Sequence, residues 1–177
     1  MKESRRKAER IEKKMSVASI DFQTLLAYNH SETERWHAYF VQHSEALDID
    51  VGGKTSKVRN LVAHIFDVEL FFATKLAGQP QPSSFLNPDS LDEMFAGHEQ
   101  AHGILSQYLE TANTEEEMRK MHIFQRGDKQ YHRSSRKLLI QIVWHGINHW
   151  GQIAMLVRRV GLETGPPHDI IASSVLQ

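Results

Sequence analysis

From Ser19 to Leu47 the apolar residues Phe22, Leu25, Leu26, Trp36, Phe40 and Leu47 recur at helical spacing, with no internal Gly or Pro. That pattern predicts an amphipathic helix, and Gly52-Gly53 interrupts it. A second helix is predicted from Ser56 to Ala77, with Leu61, Ile65, Val68, Phe72 and Leu76 along one side and Gly78 past its end. Pro80, Pro82 and Pro88 mark a long connection. A third helix is predicted from Ser90 to Thr111 on the stripe Leu91, Phe95, Leu105 and Leu109. Asp89 or Ser90 can cap it, and Glu93 stands three residues after Ser90, the spacing of a capping box. Between 113 and 135 helical periodicity fails. There Met121 to Gln125, Arg126-Gly127-Asp128 and Lys129 to His132 read as a short hairpin. A fourth helix runs from Ser134 to Val160 and stops at Gly161, ahead of Gly165-Pro166-Pro167. No internal repeat is visible. The expectation is an all-α four-helix bundle with a short hairpin or irregular segment before the last helix.

The 177 residues suit one domain, and 40% hydrophobic with 24% charged residues is ordinary globular composition. Charge is distributed unevenly. Residues 1–14 hold seven Lys/Arg against three Glu, which leaves 14 basic and 19 acidic residues in the remainder. We read residues 1–18 as a basic, solvated helical extension and 19–177 as the folded domain, with Met15 as an alternative native start. The extension has no aromatic residue to stack on a base. The overall charge of −1 offers no general attraction for nucleic acid or anionic lipid. No apolar run reaches the ~18 residues of a membrane span, and the basic start is not followed by an apolar signal core. The expectation is a soluble cytoplasmic protein with neither nucleic acid nor membrane as partner. Cysteine is absent, which excludes disulfides, a Cys-rich zinc site and a thiol nucleophile.

Histidine, at 11 residues, is the unusual count. On the fourth predicted helix Leu138, Gln141, Ile142, His145, Asn148, His149, Gln152, Leu156 and Val160 fall on one arc at about 100° per residue. Imidazoles and amides replace the middle of an otherwise apolar stripe, and burying them unsatisfied costs a few kcal/mol each. His145 and His149 project from one face, as do the histidines of H-E-x-x-H, but Gly146 follows His145 and no glutamate lies between them. His64 lies mid-way along an apolar stretch of the second helix, Leu61 to Phe66, and supplies a third donor. Three neutral imidazoles with open positions make a catalytic rather than a closed metal site; hydrogen-bonded core histidines are the alternative. His98 and His102 repeat the four-residue spacing beside Phe95 and Leu105; they could line a pocket opposite the metal, but the preferred reading is that they are simply partly buried side chains. Glu34-x-x-His37 and Glu99-x-x-His102 invite a di-iron carboxylate site, but the last helix has no Asp or Glu from 133 to 162. His30, His37, His43, His122, His132 and His168 are read as surface or loop residues, and Trp36, Trp144 and Trp150 as core or interface packing.

From about residue 20 onward the chain resembles the DinB/YfiT-like superfamily of metal-binding four-helix bundles. The resemblance rests on Leu26-Ala27-Tyr28-Asn29 with Trp36, on His64-Ile65 with Glu69, and on His145-Gly-Ile-Asn-His149-Trp-Gly-Gln152-Ile with Leu156, Arg158, Gly161, Pro166-Pro167 and Asp169. Gly146, Asn148 and Trp150 depart from the residues common at those positions. The resemblance implies that His64, His145 and His149 bind one divalent ion, with Zn, Ni and Fe the leading candidates, and that the protein pairs as a homodimer. An ion held by neutral ligands keeps its full charge and acidifies bound water or a bound thiol. The expected function is therefore transfer of a low-molecular-weight thiol, as a cosubstrate, or of water to a small-molecule substrate, as a thiol transferase or a hydrolase. The alternative is a non-catalytic metal-binding stress-response or sensor protein that acts through protein interactions. Gln152 and Asn148 are candidates to orient a ligand ring or line the pocket. Glu69, and less so Asp67, is the nearby candidate base; spacing from His64 puts neither squarely on the ligand face, which favours thiol transfer.

Overall fold

The structure, a computed structural model, describes residues 21–53, 55–112, 114–163, 165–166 and 170–176. The extension at 1–18 and His168 lie outside them. The chain is mostly helical: α1 is Phe22–Gln42, α2 Val58–Leu76, α3 Leu91–Thr111, α4 Glu115–Arg119 and α5 Ser135–Arg159. Two small antiparallel sheets complete it, β1 (Asp50–Gly52) with β2 (Ser56–Lys57) and β3 (Met121–Arg126) with β4 (Lys129–Ser134). The four long helices pack on one another, α2 against α3 and α5, and α1 against α3 and α5.

The helix starts follow side-chain caps. Asp21 accepts the Thr24 N–H at 2.7 Å, Ser90 that of Glu93 at 3.2 Å, and Ser134 that of Lys137 at 3.3 Å. Each satisfies one of the donors that a first turn leaves unpaired. The expected capping box at Ser90 is half-formed, because Glu93 instead accepts the Asn87 N–H at 3.2 Å. The first helix ends earlier than its apolar spacing predicts. After Gln42 the chain tightens into a 3-10 turn, Ser44–Asp48, which still buries Ala46 and Leu47. The second begins two residues late because Ser56 and Lys57 pair in β2. Gly52 and Gly53 take φ of +79° and +64° at that turn, conformations open to glycine at little steric cost. The hairpin at 121–134 forms as the failing periodicity predicts, preceded by the short α4, whose five residues are too few for a periodic signal.

The apolar core is divided. One cluster includes Trp36, Phe40, Phe66, Met94, Phe95, Trp150, Ile153 and Val157; the other includes Leu26, Leu70, Leu76, Ala101, Leu105, Leu109, Leu138 and Ile142. Each long helix contributes to both, and at the changeover it carries a buried polar residue or a glycine: Asn29 on α1, Glu69 on α2, His98 on α3 and Gly146 on α5. A thin polar layer thus crosses the middle of the helical stack. The connection after α2 is fastened beside it. Asp67 accepts the Leu86 N–H at 3.0 Å, and Leu86 packs so closely on Gly97 that a Cβ there would lie 2.7 Å from it.

Candidate metal centre

His64 on α2 and His145 and His149 on α5 come together: one ring nitrogen from each lies within 4.8 Å of the others. The ring centroids stand 5.0 Å apart for His64 and His145, 5.5 Å for His64 and His149, and 4.4 Å for His145 and His149, all edge to face. The two helix positions one turn apart on α5 set the last distance, and the α2–α5 packing sets the other two. Nε2 of His149 is 3.2 Å from Nε2 of His145. Two nitrogens on one tetrahedral ion at about 2.0–2.1 Å stand about 3.3–3.4 Å apart, so the side chains already have the spacing of a shared ion. Two imidazole nitrogens so placed need something positive between them, a proton or a metal.

Gln152 joins the arrangement. Its Oε1 accepts from Nδ1–H of His149 at 2.9 Å, which fixes that ring with its Nε2 lone pair toward His145. Asn148, by contrast, is exposed. The site opens to solvent rather than lying inside the helical stack. His64 is exposed and His145 and His149 are half-buried, while Ala63 and Ile65 on either side of His64 are buried. The apolar stretch around His64 therefore covers the core with its other faces and presents the imidazole outward. Along α5, Leu138 and Ile142 are buried, but Gln141 and Val160 are exposed, so the predicted arc is too wide at its edges. Trp144 is 59% exposed and is not part of the core, unlike Trp36 and Trp150, which stack at 5.5 Å.

Glu69 faces away from this group. It is buried, with Oε1 accepting from the Asn29 amide at 2.6 Å and Oε2 bonded to Nδ1 of His98 at 2.7 Å. Five positions separate it from His64, which turns the two side chains to different faces of α2. Burial raises the Asp67 carboxyl above its usual range, against the opposing pull of the Leu86 N–H and of nearby His64.

Sequence reasoning missed the polar layer. His98 is fully buried, and its Nε2 lies 3.0 Å from Nδ1 of His30, which stacks on His102 at 4.1 Å. Burial opposes charge on His98, but the Glu69 carboxylate outweighs it and the ring's pKa is raised. His30 is thus a half-buried member of a network rather than a surface residue. His122 is also buried, bonded through Nε2 to the Ser135 hydroxyl at 2.8 Å, where the hairpin joins α5. The available signal was Glu69 itself, a carboxylate in the apolar run Phe66 to Phe72 that needs a buried partner.

A family model, DinB family, matches residues 15–171. The chain belongs to the DinB family. No match is found among curated proteins. The family match covers α1 to α5 and all three clustered histidines, and Gly146 and Trp150 on α5 each have a local packing reason. A Cβ at Gly146 would lie 2.9 Å from Oδ1 of Asn29, so α5 approaches α1 closely only with glycine there, and Trp150 fills the core against Trp36. Among the described residues no helix is long and apolar enough to cross a membrane.

Proposed function

We propose that this DinB-family chain is a metal-dependent enzyme in which His64, His145 and His149 hold one divalent ion, Zn, Ni or Fe, and that its four long helices form the family's four-helix bundle. The observation that carries the reading is the convergence of three ring nitrogens from two helices within 4.8 Å. When bound, a dication with three neutral ligands supplies Lewis acidity strong enough to bring a thiol or water into its anionic form near neutral pH. Gln152 holds the His149 ring, and the exposure of His64 gives a small substrate a way in. The direction of Glu69 matters for the choice between reactions. Both its oxygens are engaged by Asn29 and His98, so it is not placed to take a proton from water at the histidines. Thiol transfer, which asks for no separate base once the thiolate is formed, is therefore the preferred activity, with a low-molecular-weight thiol as cosubstrate and a small electrophile as acceptor.

The test is metal content by mass spectrometry on protein purified without a histidine tag, followed by turnover of a panel of thiols and electrophiles by the loaded protein. One ion lost in His145→Ala and a thioether product from the wild type support the reading. Full metal retention in His145→Ala overturns the ligand set, and an inert panel with metal bound overturns the activity. Ile140, Trp144 and Met155 are exposed on one side of α5 and are proposed as a homodimer face; a monomer in light scattering overturns that.

A further inference from the structure

The polar layer ends in a second group of donors that the three-histidine centre does not use. His98 on α3 presents Nε2 to Nδ1 of His30 on α1 at 3.0 Å, and Oε1 of Glu99 lies 3.7 Å from that same His30 nitrogen. Ligand atoms from all three residues lie within 4.8 Å of one another. We propose that His30, His98 and Glu99 form a second divalent-metal site, independent of the first.

Three features support it. The first is the state of His98. Its Nδ1–H is directed to Glu69 at 2.7 Å, so when the ring is neutral its lone pair sits on Nε2, the nitrogen that faces His30. A carboxylate behind a histidine is the arrangement that fixes ring orientation and raises basicity in metal-ligating histidines. The second is spacing: nitrogen and oxygen ligands at about 2.0–2.2 Å from one ion stand roughly 3–3.6 Å apart, and the observed 3.0 and 3.7 Å bracket that range. Glu99 is exposed and can close the remaining difference by rotating its side chain. The third is charge. Glu69 and Glu99 bring two carboxylates to the two imidazoles, and among the described residues neither pairs with a lysine or arginine. A dication neutralises them where a single proton does not. Two imidazoles with one carboxylate favour Zn, Co, Ni or Cu over Mg or Ca. His102, stacked on His30 at 4.1 Å, stands beside the site as a further imidazole.

The experiment uses the full chain without a histidine tag. It is dialysed against zinc and analysed for ions per chain, with Co(II) absorption as an independent readout and circular dichroism as the check on folding. Wild type is expected to take two ions, His145→Ala/His149→Ala one, and His30→Ala/Glu99→Gln one. Glu69→Gln keeps the shape of the side chain and is expected to weaken the second ion on the order of 10–100-fold with the first unchanged. A folded His145→Ala/His149→Ala protein that binds no ion overturns the proposal, as does a second ion unaffected by His30→Ala/Glu99→Gln. An ion that survives His145→Ala/His149→Ala and is lost in His30→Ala/Glu99→Gln upholds this site even if the first fails.

Discussion

Placing a methyl group at Gly146 tests the close approach of α1 and α5 directly. In an exposed helix interior, alanine is favoured over glycine by about 0.8–1.0 kcal/mol. At Gly146 the new Cβ would stand 2.9 Å from Oδ1 of Asn29. That oxygen cannot swing aside freely, because the same amide donates to Glu69 at 2.6 Å. Overpacking of a tight interior costs about 1–3 kcal/mol, and disturbing a buried hydrogen bond to a charged group adds about 1–3 kcal/mol more. Against the gain of about 1 kcal/mol in helix propensity, Gly146→Ala is expected to lose about 1–5 kcal/mol. Gly151, on the same helix, is the matched control, since a Cβ there meets nothing within 4 Å. Gly151→Ala is expected to gain up to about 1 kcal/mol. Urea unfolding followed by circular dichroism measures both. For a chain of this size 1 kcal/mol corresponds to a Tm shift of about 2–4 °C. Equal stability of the two variants would refute the reasoning. Asn29→Ala in the Gly146→Ala background should then cost less than it does in wild type.

Three further outcomes are expected. Gln152→Ala removes the acceptor that orients His149 and should weaken zinc at the three-histidine centre on the order of 10–100-fold, read by competition with a chromophoric chelator; unchanged affinity refutes the orienting role. His122 has its pKa lowered, by burial first and by Lys120 and Lys75 after it. The unfolded chain therefore binds a proton there more readily, so its stabilising contribution is full above the ordinary value of about 6.5 and declines as pH falls below it. His122→Gln should flatten the pH dependence of the unfolding midpoint between pH 7 and 5. Asp21→Ala should cost about 0.5–2 kcal/mol through the lost cap on Thr24, and a change within error in denaturant unfolding would assign that helix start to other contacts.

The long helices were legible because their apolar residues recur over five or more turns, and the three clustered histidines because a four-residue spacing on one helix fixes which way two rings point. The exposure of the cluster was not legible. An imidazole flanked by buried residues in sequence need not be buried itself, and His64 shows why: Ala63 and Ile65 occupy the neighbouring directions around α2. The pairing of Glu69 with His98 was hidden for a different reason. It joins residues 29 positions apart on two helices, and only the relative height of those helices brings them to 2.7 Å. His122 was read as a loop residue because a hairpin signal says little about which strand face meets the helix that follows.

The polar layer between the two apolar clusters sets the register of the helices. Leucine and alanine side chains would accept α3 displaced along α2 by one turn, about 5.4 Å, at modest cost. Such a slip would carry His98 away from Glu69 and strand a carboxylate in the interior, where breaking a buried pair costs about 3–5 kcal/mol. Directional contacts therefore reject alternative packings that an oily core would tolerate. Since α2 carries both Glu69 and His64, the same constraint that locks it against its neighbours determines the height at which His64 meets the last helix.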